Sequence, residues 1–195
     1  MRKLTCPPGT ETIGQLLNSW YENLQSDETR PIMEKYGMVN LDPFTWYPVQ
    51  MLLDATNEIA EQNMTPNFVA IGMKIGEGVP LPPSMVNPTL EDVLMIWNDL
   101  YQGLHRGGDV GYIRIDKVSD TCFKTVQAGI YPDDMSYGVL YAYGRRFLPP
   151  GTPFTVFYDP DVTPRDAGGT GEATVINIKW DAAPEDKSNG TTPTA

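Results

Sequence analysis

Hydrophobic positions along this chain follow two different periods. As far as about residue 106 the apolar side chains recur every three to four positions, the period of an amphipathic helix. In 11–24, Ile13, Leu16, Leu17, Trp20, Tyr21 and Leu24 share one stripe and predict a first helix. Residues 31–36 read as one or two helical turns stopped by Gly37, and 41–47 are aromatic and irregular. Pro48 opens a second helix, since a first turn needs no amide donor there; Val49, Leu52, Leu53, Thr56, Ile59 and Ala60 form its inner face. Thr65-Pro66 reads as N-cap and first-turn proline of a third, with Phe68, Val69, Ile71, Gly72 and Ile75. Four prolines and two glycines make 76–88 a loop. Thr89, with Asp92 three positions on, resembles a capping box. It starts the strongest helical stripe, Leu90, Val93, Leu94, Trp97, Leu100, Tyr101 and Leu104, which Gly107-Gly108 ends.

Beyond residue 111 the period drops to two. Residues 112–118 alternate apolar and polar, Ser119-Asp120 makes a turn, and 121–128 follow with Phe123 and Thr125 opposite Cys122, Lys124 and Val126. Two strands so close in sequence predict an antiparallel hairpin. Asp133 or Asp134 caps a helix carrying Met135, Val139, Leu140, Ala142, Tyr143 and Phe147, ended by Pro149-Pro150-Gly151. Strands at 154–158 and 173–180 flank a Gly/Asp-rich connection at 159–171. The expectation is an α+β fold: a helical N-terminal half, then a mostly antiparallel four-stranded sheet (β-β-α-β-β) covered by helices. Residues 1–180 read as a single globular domain, helical over 11–106 and sheet-containing over 111–180. The Pro/Ser/Thr/Gly-rich 181–195 has too few apolar side chains to offset ordering and reads as a mobile tail.

Composition narrows the function classes. With 25 acidic against 14 basic residues the net charge is -11, which repels phosphate backbones and anionic lipid, so neither nucleic acid nor membrane is an expected partner. Cys6 and Cys122 form no metal-binding or disulfide pattern. No stretch is long and apolar enough to span a bilayer, and the N-terminus lacks a secretory pattern, which favours the cytoplasm.

Catalytic and metal motifs are absent: no GxSxG, no EF-hand spacing in 159–171, and no Walker lysine beside its glycines. His105 is the only histidine, so every mechanism that needs two is excluded. It reads as a helix C-terminal residue, where the helix dipole would favour the imidazolium. Asp133 and Asp134 suit a helix start, and acid–base work would need a partner across a cleft. Tyr137, Tyr141 and Tyr143 are interleaved with Gly138, Gly144, Arg145 and Arg146, which suits helix-on-sheet packing or a pocket under the helix. Nine methionines fit an adaptable core or an adaptable apolar site.

The helix Leu90-Glu91-Asp92-Val93-Leu94-Met95-Ile96-Trp97-Asn98-Asp99-Leu100-Tyr101, two strands, the helix 137–147 and two closing strands together resemble a superfamily. It joins vinyl-reductase-like small-molecule-binding domains with haem nitric-oxide-binding domains. The resemblance spans about 89–180. It implies a helix-covered sheet with an apolar pocket, in sensory and regulatory modules. The haem branch carries a proximal histidine on the long helix and a Tyr-x-Ser-x-Arg motif for the propionates. Here Tyr101 stands at the ligand's place, His105 lies one turn later, and Tyr131-Pro132-Asp133-Asp134-Met135 lacks the serine and the arginine. His105 is then the one possible haem ligand, and these departures count against haem. The cysteines of the vinyl-reductase-like branch near its last strands are also missing.

The leading expectation is a non-enzymatic sensory or regulatory domain that takes a small apolar ligand in a pocket lined by Trp97, Tyr101, Met135, Val139 and Tyr143, and acts on a signalling partner. No cofactor, metal site or catalytic residue is expected. The alternatives are a structural homodimer joined through helices and the apolar loop 79–86, and an enzyme using Tyr131, Asp133 and Arg145.

Overall fold

The structure, a computed structural model, describes residues 1–23, 27–62, 64 and 67–182. The predicted architecture is present. Strands β4 (Ile113–Ser119), β5 (Cys122–Gln127), β6 (Phe154–Tyr158) and β7 (Thr174–Trp180) form one antiparallel sheet in the order β4-β5-β7-β6. Phe123, Thr125, Ile176 and Ile178 are fully buried on its inner face. Helix α7 (Asp133–Phe147) crosses this face, its Gly144 lying against Phe154 and Ile178. Tyr137 donates to the Val156 carbonyl at 2.7 Å and Tyr141 packs on Phe154.

The N-terminal half departs from the reading in instructive ways. The helix expected over 11–24 has a strand for its first turn: β1 is Glu11–Ile13, and α1 runs Gly14–Asn23, with Leu24 outside the described residues. β1 pairs with β2 (Trp46–Pro48) and β3 (His105–Arg106) in a small sheet ordered β2-β1-β3. Three residues are too few for a period of two to show, and Ile13 fits a helical stripe equally well. Pro48 therefore ends an edge strand, where its missing amide is harmless, and helix α3 begins at Gln50 (Gln50–Glu61). Helix α2 is Arg30–Lys35. Helix α4 (Phe68–Gly78) is capped by Asn67, which accepts from the Ala70 amide; Thr65-Pro66 lie outside the described residues.

The long helix is also divided, into α5 (Leu90–Met95) and α6 (Trp97–Gly103), with Ile96 out of helical geometry at φ -102° and ψ 2°. Thr89 and Asp92 do form a reciprocal capping box at its start. Past the break, Asn98 accepts the Ile113 amide at 2.9 Å and ties α6 to β4.

The tightest packing is between α4 and α7. A Cβ on Gly72 would overlap the Met135 carbonyl, and one on Gly138 would overlap that of Val69. The absence of Cβ atoms on both helices lets the two backbones touch. Gly138 thus serves helix-on-helix contact, while Gly144 serves helix-on-sheet contact.

Candidate functional site

Helices α6 and α7 carry side chains inward at four-residue spacing, one above the next on a face. Trp97 and Tyr101 on α6, and Met135, Val139 and Tyr143 on α7, all line a single cavity of about 50 Å³. Trp97 meets Tyr143 edge to face at 5.3 Å between ring centres. One water needs ~10–15 Å³ of such space, so the cavity has room for roughly four water-sized groups.

One wall is polar and fully wired. The Tyr101 hydroxyl donates to the Val110 carbonyl at 2.6 Å and accepts the Ile130 amide at 3.3 Å. His105 sits 2.7 Å through Nδ1 from the Tyr101 carbonyl and 2.6 Å through Nε2 from the Tyr131 hydroxyl. A carbonyl can only accept, so Nδ1 carries the proton, and neutral Nε2 accepts from Tyr131. Burial lowers the pKa of His105, against the opposing effect of its bond to the Tyr101 carbonyl. Burial also raises both phenols, that of Tyr131 well above its ordinary value. The wall is therefore uncharged at neutral pH.

This corrects the expectation for His105. It belongs to β3 rather than to a helix end, and desolvation outweighs any helix dipole, so the imidazolium is disfavoured instead of favoured.

Sequence reasoning missed Gln127. It extends the inward-facing Phe123, Thr125 row of β5, is 1% exposed and lines the same cavity. Thr125 donates its hydroxyl proton to the Ile176 carbonyl at 2.9 Å, so it must accept from Gln127 Nε2 at 3.0 Å. That fixes the carboxamide orientation and leaves Gln127 Oε1 without a hydrogen-bond partner among the described residues. Extending the period-two count by one more inward position would have found it.

Asp133 is occupied elsewhere. Its side chain is 2% exposed and accepts from Arg165 at 2.8 Å, Thr174 at 2.6 Å, the Asp166 amide at 2.9 Å and Arg2 at 3.4 Å. Arg2 also bonds Asp166 at 2.7 Å and the Tyr131 carbonyl at 2.7 Å. The N-cap position of α7 is Pro132, and neither aspartate caps it through a side chain; Asp134 instead accepts from Tyr158 at 2.5 Å. The Gly/Asp-rich 159–171 connection is correspondingly held, with a 3-10 turn at Arg165–Ala167 pinned to Asp133. No group of three His, Cys, Asp or Glu among the described residues could hold a metal ion. Tyr131, Asp133 and Arg145 share no cleft: the phenol faces His105, the carboxylate is enclosed by its cations, and exposed Arg145 lies twelve residues along α7, ~18 Å away.

A haem does not fit these residues. Both His105 nitrogens are engaged inside the fold. Met135 stands where the propionate-binding arginine would be and is a buried cavity wall. Asp133, in place of the serine, spends its carboxylate on Arg165, Arg2, Thr174 and the Asp166 amide and has no hydroxyl to donate to a propionate.

No family model matches the sequence, and no curated protein matches it. Solved structures do match in shape. A variant H-NOX (haem nitric oxide/oxygen binding) protein from T. tengcongensis has a TM-score of 0.61 at 13% identity, over 87% of this chain and 97% of that one. One from S. oneidensis in an Fe(II) ligation state gives 0.60 at 10% identity, over 89% and 98%. An unliganded Fe(II) variant from K. algicida gives 0.58 at 9% identity, over 87% and 97%. The matched region reaches well beyond 89–180 and takes in the helical half too. No helix among the described residues is long and apolar enough to cross a membrane. The chain has the H-NOX fold.

Proposed function

We propose that this chain is a non-enzymatic binding domain of sensory type, which holds a small, mostly apolar molecule directly in the α6/α7 cavity and not through haem. The observation that carries the reading is the convergence of five side chains from two helices on one void, beside a polar wall held neutral. The S. oneidensis relatives of this fold include Fe(II) and Fe(II)NO ligation states. This chain keeps the fold and fills the corresponding chemistry with a closed His105–Tyr131–Tyr101 network. The cavity touches α4, α6, α7 and β5 at once, so a ligand there would bear on the close α4/α7 contact and pass the change to a partner.

Native mass spectrometry of freshly purified protein, compared with its denatured mass, tests this. A discrete additional mass other than haem supports the reading. A haem mass, or a Soret band with saturable one-to-one haemin binding, overturns the haem-free part of it. A bare homodimer favours the second reading, assembly through the 79–86 loop, where Val86 stands 79% exposed.

A further inference from the structure

We infer that the ligand is an uncharged, elongated molecule with a hydroxyl or N–H at one end, bound by Gln127 Oε1, and an apolar tail leading out between α1 and the end of α4. The inference rests on the cavity being a ligand site, as proposed above. Gln127 is 1% exposed and lines the void, Thr125 orients its carboxamide, and its Oε1 has no hydrogen-bond partner among the described residues. A ligand donor would satisfy it. Ser136, which also lines the cavity, makes no hydrogen bond among the described residues through its side chain and can accept or donate a second. No Asp, Glu, Lys or Arg lines this inner cavity, so an ionic head would be buried without a counter-charge.

The elongated shape follows from a second void. A groove of about 190 Å³ opens on the surface beside Ile13, Ser19 and Pro80. Leu16, Ile75, Val79 and Leu104 line both the groove and the inner cavity, so these four side chains form the partition between them. All four are aliphatic and can move aside without breaking a side-chain hydrogen bond. Arg146, donating to the Val79 carbonyl at 3.0 Å, steadies the loop side of this partition. The one charge on the groove, Lys74, already pairs with Glu77 at 3.4 Å.

The test is an amide NMR titration of the full chain with three probes of similar size: 1-hexanol, its isomer methyl pentyl ether, and hexanoate. Hexanol should give saturable shifts around Gln127, Val139 and Leu104. The ether, which has no donor, should bind about fivefold more weakly, the contribution of one hydrogen bond of ordinary strength. Hexanoate should leave the inner cavity unshifted. Gln127→Leu should remove the alcohol–ether difference while the ether still binds, and Leu104→Trp should slow or abolish the binding of both. Equal binding of alcohol and ether to the unmodified chain, or tighter binding of hexanoate, overturns the inference and leaves the cavity reading intact. Absence of any cavity shift with all three overturns both.

Discussion

Replacing Gly72 by alanine tests whether the α4/α7 contact needs bare backbone. Alanine is the better helix former by ~0.8–1 kcal/mol, so at an unconstrained site the change would stabilise. Here the new methyl would overlap the Met135 carbonyl oxygen and crowd the Val139 amide at 3.0 Å. Both are backbone atoms of α7 and cannot rotate away. The helices must separate by roughly an ångström, and gaps of ~0.5–1 Å already forfeit a quarter to a half of each dispersion contact. Overpacking of this kind costs ~1–3 kcal/mol. Overlap with fixed backbone puts the cost at the upper end, ~3 kcal/mol, so after the ~1 kcal/mol gained in helix propensity we expect Gly72→Ala to lower the unfolding free energy by about 2 kcal/mol net, read from urea denaturation followed by tryptophan fluorescence. Gly78→Ala on the same helix is the control. Nothing lies within 4 Å of its Cβ, so it should be neutral or stabilising by up to ~1 kcal/mol. A Gly72→Ala chain as stable as the unmodified one would refute the close-contact reasoning.

Other perturbations follow from the buried polar groups. His105 has a folded pKa below its ordinary 6.5, so the unfolded chain takes up the proton first. Its contribution is present above about 6.5 and lost as pH falls below it, and His105→Gln should flatten that part of the urea-midpoint profile; an unchanged slope would remove His105 as the cause. Asp133→Asn leaves Arg2 and Arg165 facing an uncharged group in a buried site, and should cost about 3–5 kcal/mol by thermal or urea unfolding; a loss within 1 kcal/mol would show the network to be solvated. Asn57 accepts the Leu4 amide at 2.8 Å and donates to the Leu4 carbonyl at 2.9 Å. Asn57→Ala orphans both, and should cost about 2–4 kcal/mol and raise hydrogen exchange at the Leu4 amide.

The C-terminal half was legible because its signals were long and consistent. Alternation in 112–118, the Ser119-Asp120 turn and the strand that follows at 121–128 specified the antiparallel pair β4/β5, and the i, i+4 rows on 97–101 and 135–143 specified which side chains would meet. The small sheet was not legible, because β1 and β3 are three and two residues long and their pairing is set by partners far along the chain. The break at Ile96 has no proline or glycine to announce it, and the contact just past it, Asn98 with the Ile113 amide, joins residues 15 positions apart. His105 was misread for the same reason: its neighbours suggested a helix end, whereas its environment is made by Tyr131 and β1. Arg2 and Arg165 carry no motif at all, since their role exists only once residues far apart in sequence have met around Asp133.

That separation bears on how the molecule comes together. Arg2 and Asp166 stand 164 positions apart, and closing so long a loop yields contacts only after its entropy has been lost, a cost that grows as ~(3/2)RT ln n. The local α7 and β4/β5 contacts have no such delay. The Arg2 clasp is thus expected to close after the folding transition state, so that Arg2→Ala speeds unfolding while leaving the folding rate nearly unchanged. It works as a latch on the finished fold, governing how long the α7 end stays shut rather than how quickly it forms.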